Sequence, residues 1–261
     1  MCYKCNTGIE GEIMKILYFT STGNSLYVAK RIGDEYYSIP KLIKEGRFDF
    51  EDEKIGIIFP SYSSGVPKIV EQFLKKVKLK SKYIFGITTY GFYAGATTRH
   101  LLEIGKRNEI EFSYINEIIM VDNYLPGFDM NKQVQGQAKK NIEENLNKII
   151  KDIEEGKKYI KKHSIITEGF RMLGEKLVYD NQFEKNFIVE NNCNGCKTCE
   201  KVCPVDNIKV DKRPIFMNNC QQCLACAHNC PQRAISLKKE KSKARFINEN
   251  IKLREIIDSN N

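Results

Sequence analysis

At 261 residues the chain is too long for a single small module and long enough for two domains. Hydrophobic residues make up 41%, enough for a packed core, and no apolar stretch approaches spanning length, so no membrane span is expected. The formal net charge of +9 admits a nucleic-acid partner, but no basic motif interleaved with aromatics supports one and none is expected.

Residues 1–13 read as an N-terminal extension. They hold a C-x2-C pair, Cys2 and Cys5, for which a redox or metal role competes with a floppy leader, and Met14 is itself a candidate start. No targeting signal is evident, so free cysteines are expected and the cytoplasm of an anaerobe or facultative anaerobe is the expected compartment.

From Met14 the pattern alternates. Met14–Phe19 is a short apolar run of strand formers. A polar loop, Thr20-Ser21-Thr22-Gly23-Asn24-Ser25, follows, and Leu26, Val28, Ala29 and Ile32 then carry helical spacing. Tyr36–Ile39 reads as a second strand and Lys54–Phe59 as a third, nearly all apolar, as a strand covered on both faces requires. Pro60–Gly65 is a loop. Pro67 suits the first turn of a helix whose stripe is Ile69, Val70, Phe73, Leu74 and Val77. Tyr83–Thr88 is a fourth strand, Thr89–Gly95 a loop, Thr97–Lys106 a helix and Phe112–Val121 a fifth strand. Val134, Ala138, Ile142, Leu146, Ile149 and Ile153 mark one long amphipathic helix. The alternation predicts an α/β domain over 14–162, a doubly wound parallel five-stranded sheet.

The loop after the first strand is a candidate anion site. Hydroxyls and backbone amides of Thr20, Ser21, Thr22, Gly23, Asn24 and Ser25 gather at a helix N-terminus, whose partial positive charge favours phosphate. Neither G-x-x-x-x-G-K-[ST] nor G-x-G-x-x-G is present, which argues against a nucleoside triphosphate or a dinucleotide and for a monophosphate. An ordinary capped helix uses the same residue types. Two further loops follow strands at the same end of the sheet, where open α/β folds bind ligands. Ser61, Tyr62, Ser63 and Gly65 in one, and Thr89, Tyr90 and Gly91 in the other, offer flat rings and close backbone approach. That combination suits a flavin ring. With no tryptophan in the chain, stacking falls to Tyr62, Tyr90, Phe92, Tyr93 or Tyr124.

Residues 163–186 read as a helical linker, 187–237 as a small α+β domain and 238–261 as a helical tail. The tail begins with the basic run Lys238-Lys239-Glu240-Lys241 and is expected to dock. In the small domain Cys193, Cys196, Cys199 and Cys203 read C-x2-C-x2-C-x3-C-P, and Cys220, Cys223, Cys226 and Cys230 repeat it. The repeat extends to Ile208 and Ile235, which are expected to pack beside whatever the cysteines bind. The histidines are His100, His163 and His228. None belongs to an evident acid–base set; His228, inside the second run, is read as tuning that site or merely exposed.

The cysteine runs resemble the ligand runs of bacterial ferredoxins with two [4Fe–4S] clusters, in which the fourth cysteine of each run ligates the other cluster. The resemblance implies one set of Cys193, Cys196, Cys199 and Cys230 and another of Cys220, Cys223, Cys226 and Cys203. Zinc sites use paired C-x2-C knuckles instead. The Thr20–Ser25 loop is similar to the FMN phosphate loop of flavodoxins. Taken together, 14–237 resembles the flavodoxin–ferredoxin fusion family, the EFR-type ferrodoxins, whose N-Y pair is matched by Asn123-Tyr124. The resemblance implies that Thr20–Ser25 hold the FMN phosphate, that the Ser61–Gly65 and Thr89–Gly91 loops flank the ring, and that Gly65 or Gly91 carries a flipping peptide. The acidic Gly-Asp pairing of ordinary flavodoxin ring loops is missing.

The expected function is electron transfer between two [4Fe–4S] clusters and FMN, and on to redox proteins that the sequence does not name. The alternatives are a flavin-dependent reductase of a small substrate, or a ferredoxin whose first domain binds no flavin and serves for docking. Oligomeric state is not legible.

Overall fold

The computed structural model describes residues 14–162 and 182–260. Cys2, Cys5, His163 and most of the expected linker lie outside the described residues.

The strands are β1 (Met14–Tyr18), β2 (Glu35–Ser38), β3 (Asp49–Glu51), β4 (Lys54–Pro60), β5 (Lys78–Lys80), β6 (Tyr83–Tyr90), β7 (Phe112–Ile119) and β8 (Tyr159–Ile160). Six of them form one parallel sheet in the order β2-β1-β4-β6-β7-β8. Its first five members reproduce the 2-1-3-4-5 winding of flavodoxin-like sheets, which reverses between β1 and β4 and opens a crevice there. The expectation of five strands falls short by one: Tyr159 and Ile160 pair with Tyr114 and Ile115 as a two-residue edge strand. A stretch that short carries no periodicity. β3 and β5 pair separately.

Both faces of the sheet are covered. Helix α1 (Asn24–Ile32) and α6 (Ile142–Glu154) pack Leu26, Val28, Leu146, Ile149 and Ile153 on one side. Helices α2 (Ile39–Glu45), α3 (Lys68–Leu74) and α4 (Thr97–Arg107) pack Leu42, Ile69, Phe73 and Leu101 on the other. This two-sided burial is why β4 is nearly all apolar, with Ile55, Ile57, Ile58 and Phe59 at 0% exposure.

The single long helix expected over 134–153 is broken. Helix α5 (Met130–Gln135) gives way to a 3₁₀ turn, Gln137–Lys140, and α6 restarts after Asn141. Asn141 sits in the left-handed region at φ 47°, which ends one helix and leads into the next. Val134 and Ala138 are consequently exposed and are not part of the buried stripe.

The second region holds α7 (Thr198–Lys201) and α8 (Ala225–His228), with β9 (Phe187–Val189), β10 (Ile208–Val210), β11 (Pro214–Phe216) and β12 (Ile235–Leu237). β10 pairs with β11 and β12 with β9, both antiparallel. The internal repeat is visible in the backbone. Left-handed residues occur at Gly195, Lys197 and Asp206, and again at Gln222, Leu224 and Arg233. Each pair is separated by the same offset as Cys193 and Cys220.

The tail docks as expected, its start on the second region, where Arg245 reaches the Ile235 carbonyl at 3.0 Å, and its end on the first. Its helix α9 (Leu253–Asp258) buries Ile256 completely. Lys30 pairs with Glu255 at 2.6 Å, and the Tyr18 hydroxyl lies 2.7 Å from Ser259 Oγ. Ile251 and Ile256, both nearly fully buried, contribute about 1.5–3 kcal/mol each by leaving water.

Candidate functional site

The crevice at the winding reversal is a cavity of ≈ 320 Å³, within the size range of small-molecule sites. Thr20, Ser21, Thr22, Asn24 and Ser25 line it, with Ser61, Tyr62, Ser63 and Gly65 and with Thr89, Tyr90 and Gly91. The three loops expected to act together therefore surround one space. Gly23 is not in the lining. It sits at φ 96°, and a Cβ there would lie 3.0 Å from Ile251 Cβ, so its requirement is set by the tail.

The first loop is buried and fixed from several sides. Thr20 Oγ1 accepts from the Gly23 amide at 3.0 Å, and Asn123 Nδ2 donates to Thr22 Oγ1 at 2.8 Å. Asn24 Nδ2 donates to the Val121 carbonyl at 2.9 Å, and Ser25 Oγ lies 2.9 Å from Thr89 Oγ1. Helix α1, whose N-terminus this loop forms, has no side-chain cap on its first turn and no acidic residue there. The ordinary capped helix is thus not what is built. An uncapped N-terminus facing a cavity fits a phosphate.

The second loop is a tight turn: Tyr62 and Gly65 exchange backbone hydrogen bonds of 3.0 and 2.9 Å. Ser63 and Ser64 occupy its corners at φ 48° and 63°. Two consecutive left-handed non-glycine residues cost about 1–2 kcal/mol each. The Tyr62 hydroxyl donates to Ser21 Oγ at 3.1 Å, and burial raises its pKa well above the ordinary phenol value, so it stays protonated. In the third loop the Gly91 carbonyl accepts from Lys140 Nζ at 2.8 Å. Burial lowers the Lys140 pKa and raises that of nearby Asp122. The mouth carries exposed rings: Phe92 at 74%, Tyr93 at 58% and Tyr124 at 40%.

The cysteines fall into two groups. Cys193, Cys196, Cys199 and Cys230 line one small cavity, and Cys203, Cys220, Cys223 and Cys226 line another. Each group draws three members from one run and the fourth from the other. Ile235 lines the first cavity and Ile208 the second. Backbone amides point at the outlying sulfurs in matching fashion: Asn207 N donates to Cys203 Sγ at 3.2 Å, and Ala234 N to Cys230 Sγ at 3.3 Å. Burial pushes Cys199 and Cys220 up to about 12 and raises Cys226 well above the ordinary thiol value. Cys196, which is exposed, is lowered by the Thr198 hydroxyl. Among the described residues no three His, Cys, Asp or Glu side chains converge on a single-ion site. Four sulfurs around a cavity are a different donor set: all-cysteine and soft, the kind of donor a cubane takes.

The two regions meet at the Thr20–Ser25 loop. Cys223, Gln221 and Leu224 line both the second cysteine cavity and the ≈ 320 Å³ cavity. Asn229 Nδ2 donates to the Ser21 carbonyl at 2.9 Å, and Asn248 N to the Thr22 carbonyl at 2.8 Å. His228 is buried rather than exposed. Its Nε2 bonds the Asn123 carbonyl at 2.7 Å while Nδ1 accepts from Phe246 N at 3.1 Å. Burial lowers its pKa to about 4, so a neutral ring ties the two regions together. His100 is also buried, and its Nδ1 accepts from Val66 N at 3.1 Å. The contacts of Asn229, His228 and Asn248 have no sequence signature, because their partners lie in the other half of the chain.

A model of the 4Fe-4S binding domain matches residues 187–209. No curated protein matches the chain. Among solved structures, one described as a "Putative flavoprotein from Bacteroides uniformis" aligns at 14% identity with a TM-score of 0.32, covering 48% of this chain and 97% of that one. No helix among the described residues is long and apolar enough to cross a membrane.

Proposed function

We propose that the chain is an electron-transfer iron–sulfur flavoprotein, with FMN in the ≈ 320 Å³ cavity and a [4Fe–4S] cluster in each cysteine cavity. The observation that carries this reading is the shared wall at Cys223: one cluster ligand also lines the flavin cavity. When bound, a cubane exchanges single electrons and FMN exchanges one or two.

The chain's own residues supply position and electrostatics. The α1 N-terminus and the Thr20, Ser21 and Thr22 side of the loop receive the phosphate. Ser61–Gly65 and Thr89–Gly91 flank the ring. Tyr62, protonated and tied to Ser21, fills the space between the phosphate loop and Cys223. His228, Asn229 and Asn248 hold the two regions in register, so the separation between centres is fixed by buried hydrogen bonds rather than by a linker.

The exposed rings of Phe92, Tyr93 and Tyr124 favour one second reading, a reductase admitting a small acceptor at the mouth of the cavity. The two are separated by reducing the anaerobic protein with dithionite. Electron transfer predicts flavin bleaching that slows in Cys223→Ser but not on addition of small acceptors. A reductase predicts catalytic turnover of a diffusible acceptor. A flavin that never bleaches while the clusters are reduced would sink the leading reading.

A further inference from the structure

Of the eight cysteines in the two runs, Cys196 is the exposed one. The surface around it is basic. Lys197 lines the same cavity, and the Lys201 ammonium acts electrostatically on the Cys196 thiol. The Lys212 carbonyl lies against Gly195. Arg213 donates to the carbonyls of Val189 and Glu190. Arg233 follows Gln232 of the cavity wall. All five basic residues are exposed. The acids nearby are engaged: Glu200 with Lys209 at 3.6 Å and the Val210 amide at 3.0 Å, Glu190 with Ser236 at 2.7 Å and Lys243 at 3.7 Å. Asp206 pairs with Lys44 at 2.8 Å, and Asp211 is the remaining carboxylate between residues 187 and 237. Exposed Ile188 and Ile215, at 40% and 57%, lie on the two strands that Arg213 ties together. The second cysteine group has no exposed member: Cys203 and Cys226 are buried, Cys220 and Cys223 are half-buried, and Cys223 also lines the larger cavity.

We infer that the face around Cys196 is the docking surface for an acidic electron-transfer protein, one whose redox centre lies beneath a carboxylate-rich patch. The inference rests on the proposed function and gives it a direction: partner at the Cys196 end, flavin at the Cys223 end. In the exchange the partner's reduced centre loses one electron, the cluster held by Cys193, Cys196, Cys199 and Cys230 gains it, and no bond or proton moves. Excess positive charge over an exposed ligand steers an anionic partner, and the apolar pair gives the encounter a contact that excludes water.

The test is calorimetric titration of the anaerobically purified, cluster-loaded chain with an oxidised acidic [2Fe–2S] ferredoxin. Saturable binding is expected, weakening at least about tenfold between about 20 mM and about 300 mM salt as screening grows. The double variant Lys212→Glu with Arg233→Glu alters residues outside the cavity lining. It should weaken binding a further ~10-fold, with iron content and reduction by dithionite unchanged. A basic cytochrome c used in place of the ferredoxin should not bind. Absence of saturable binding at low salt, indifference to the charge reversal, or equal binding of the basic carrier would overturn the inference. Dithionite bypasses the docking face, so failure of dithionite-reduced clusters to bleach the flavin would defeat the proposed function while leaving the binding data to decide the docking face.

Discussion

Replacing Gly23 with alanine probes the junction on which the site depends. Gly23 stands at φ 96° in the Thr20–Ser25 loop at the start of α1, and its missing Cβ is what lets the tail approach. An alanine there takes on the left-handed penalty of about 1–2 kcal/mol. Its Cβ would also stand 3.0 Å from Ile251 Cβ and 3.1 Å from Asn248 Cβ, both tighter than ordinary contact. Relieving that crowding costs about 1–3 kcal/mol more, because Asn248 is anchored to Thr22 and Asn24 and cannot move alone. The expected loss is therefore about 2–5 kcal/mol in urea unfolding followed by circular dichroism under anaerobic conditions. Gly46→Ala is the internal reference. Gly46 has φ 66° with nothing within 4 Å of a Cβ, so only the backbone penalty applies. FMN affinity should fall at least about tenfold in Gly23→Ala and stay unchanged in Gly46→Ala. Equal stability losses in the two variants, with equal FMN affinity, would refute the reasoning that the tail and the Thr20–Ser25 loop are one packed unit.

Ser64→Gly should stabilise the protein by ~1 kcal/mol, since glycine relieves the left-handed strain at φ 63°; a thermal melt that falls instead would show that the side chain does something the backbone does not. Cys203→Ser should degrade the same cluster as Cys223→Ser and leave the cluster of Cys199→Ser intact; paramagnetic resonance of the reduced variants reads this, and a shared loss between Cys203→Ser and Cys199→Ser would mean that each run closes on itself. Burial raises the Tyr18 pKa from 10.0 to about 12, opposed by its bond to Ser259. A pKa raised in the folded state gives stability that is full below 10 and is lost as pH rises towards 12, about 3 kcal/mol in all. Tyr18→Phe should flatten the alkaline limb of the stability profile by that amount, and an unchanged limb would place the titration elsewhere.

Much of this architecture is legible in the sequence for a local reason. The cysteine spacing dictates tight turns, and those turns require left-handed residues at repeated positions whatever surrounds them. The parallel sheet announces itself because β4 is buried on both faces and cannot carry polar residues. The Thr20–Ser25 loop stands out in the sequence because hydroxyls, glycine and asparagine cluster between a strand and a helix. The features that were not legible are non-local. Asn229 reaches Ser21 across most of the chain, and Asn248 reaches Asn24 from the tail; single asparagines carry no pattern. The broken helix at Asn141 was hidden because Val134 and Ala138 happen to continue the apolar spacing of α6 while facing solvent. The shared wall at Cys223 depends on how the two regions are set against each other, which periodicity does not encode.

The most direct measurement is iron, acid-labile sulfide and flavin quantified on one anaerobically purified sample. Iron and sulfide sufficient for two cubanes, with one FMN per chain, is the predicted result. Clusters without flavin, even after incubation with FMN, would contradict it and leave a two-cluster protein whose first region serves another purpose.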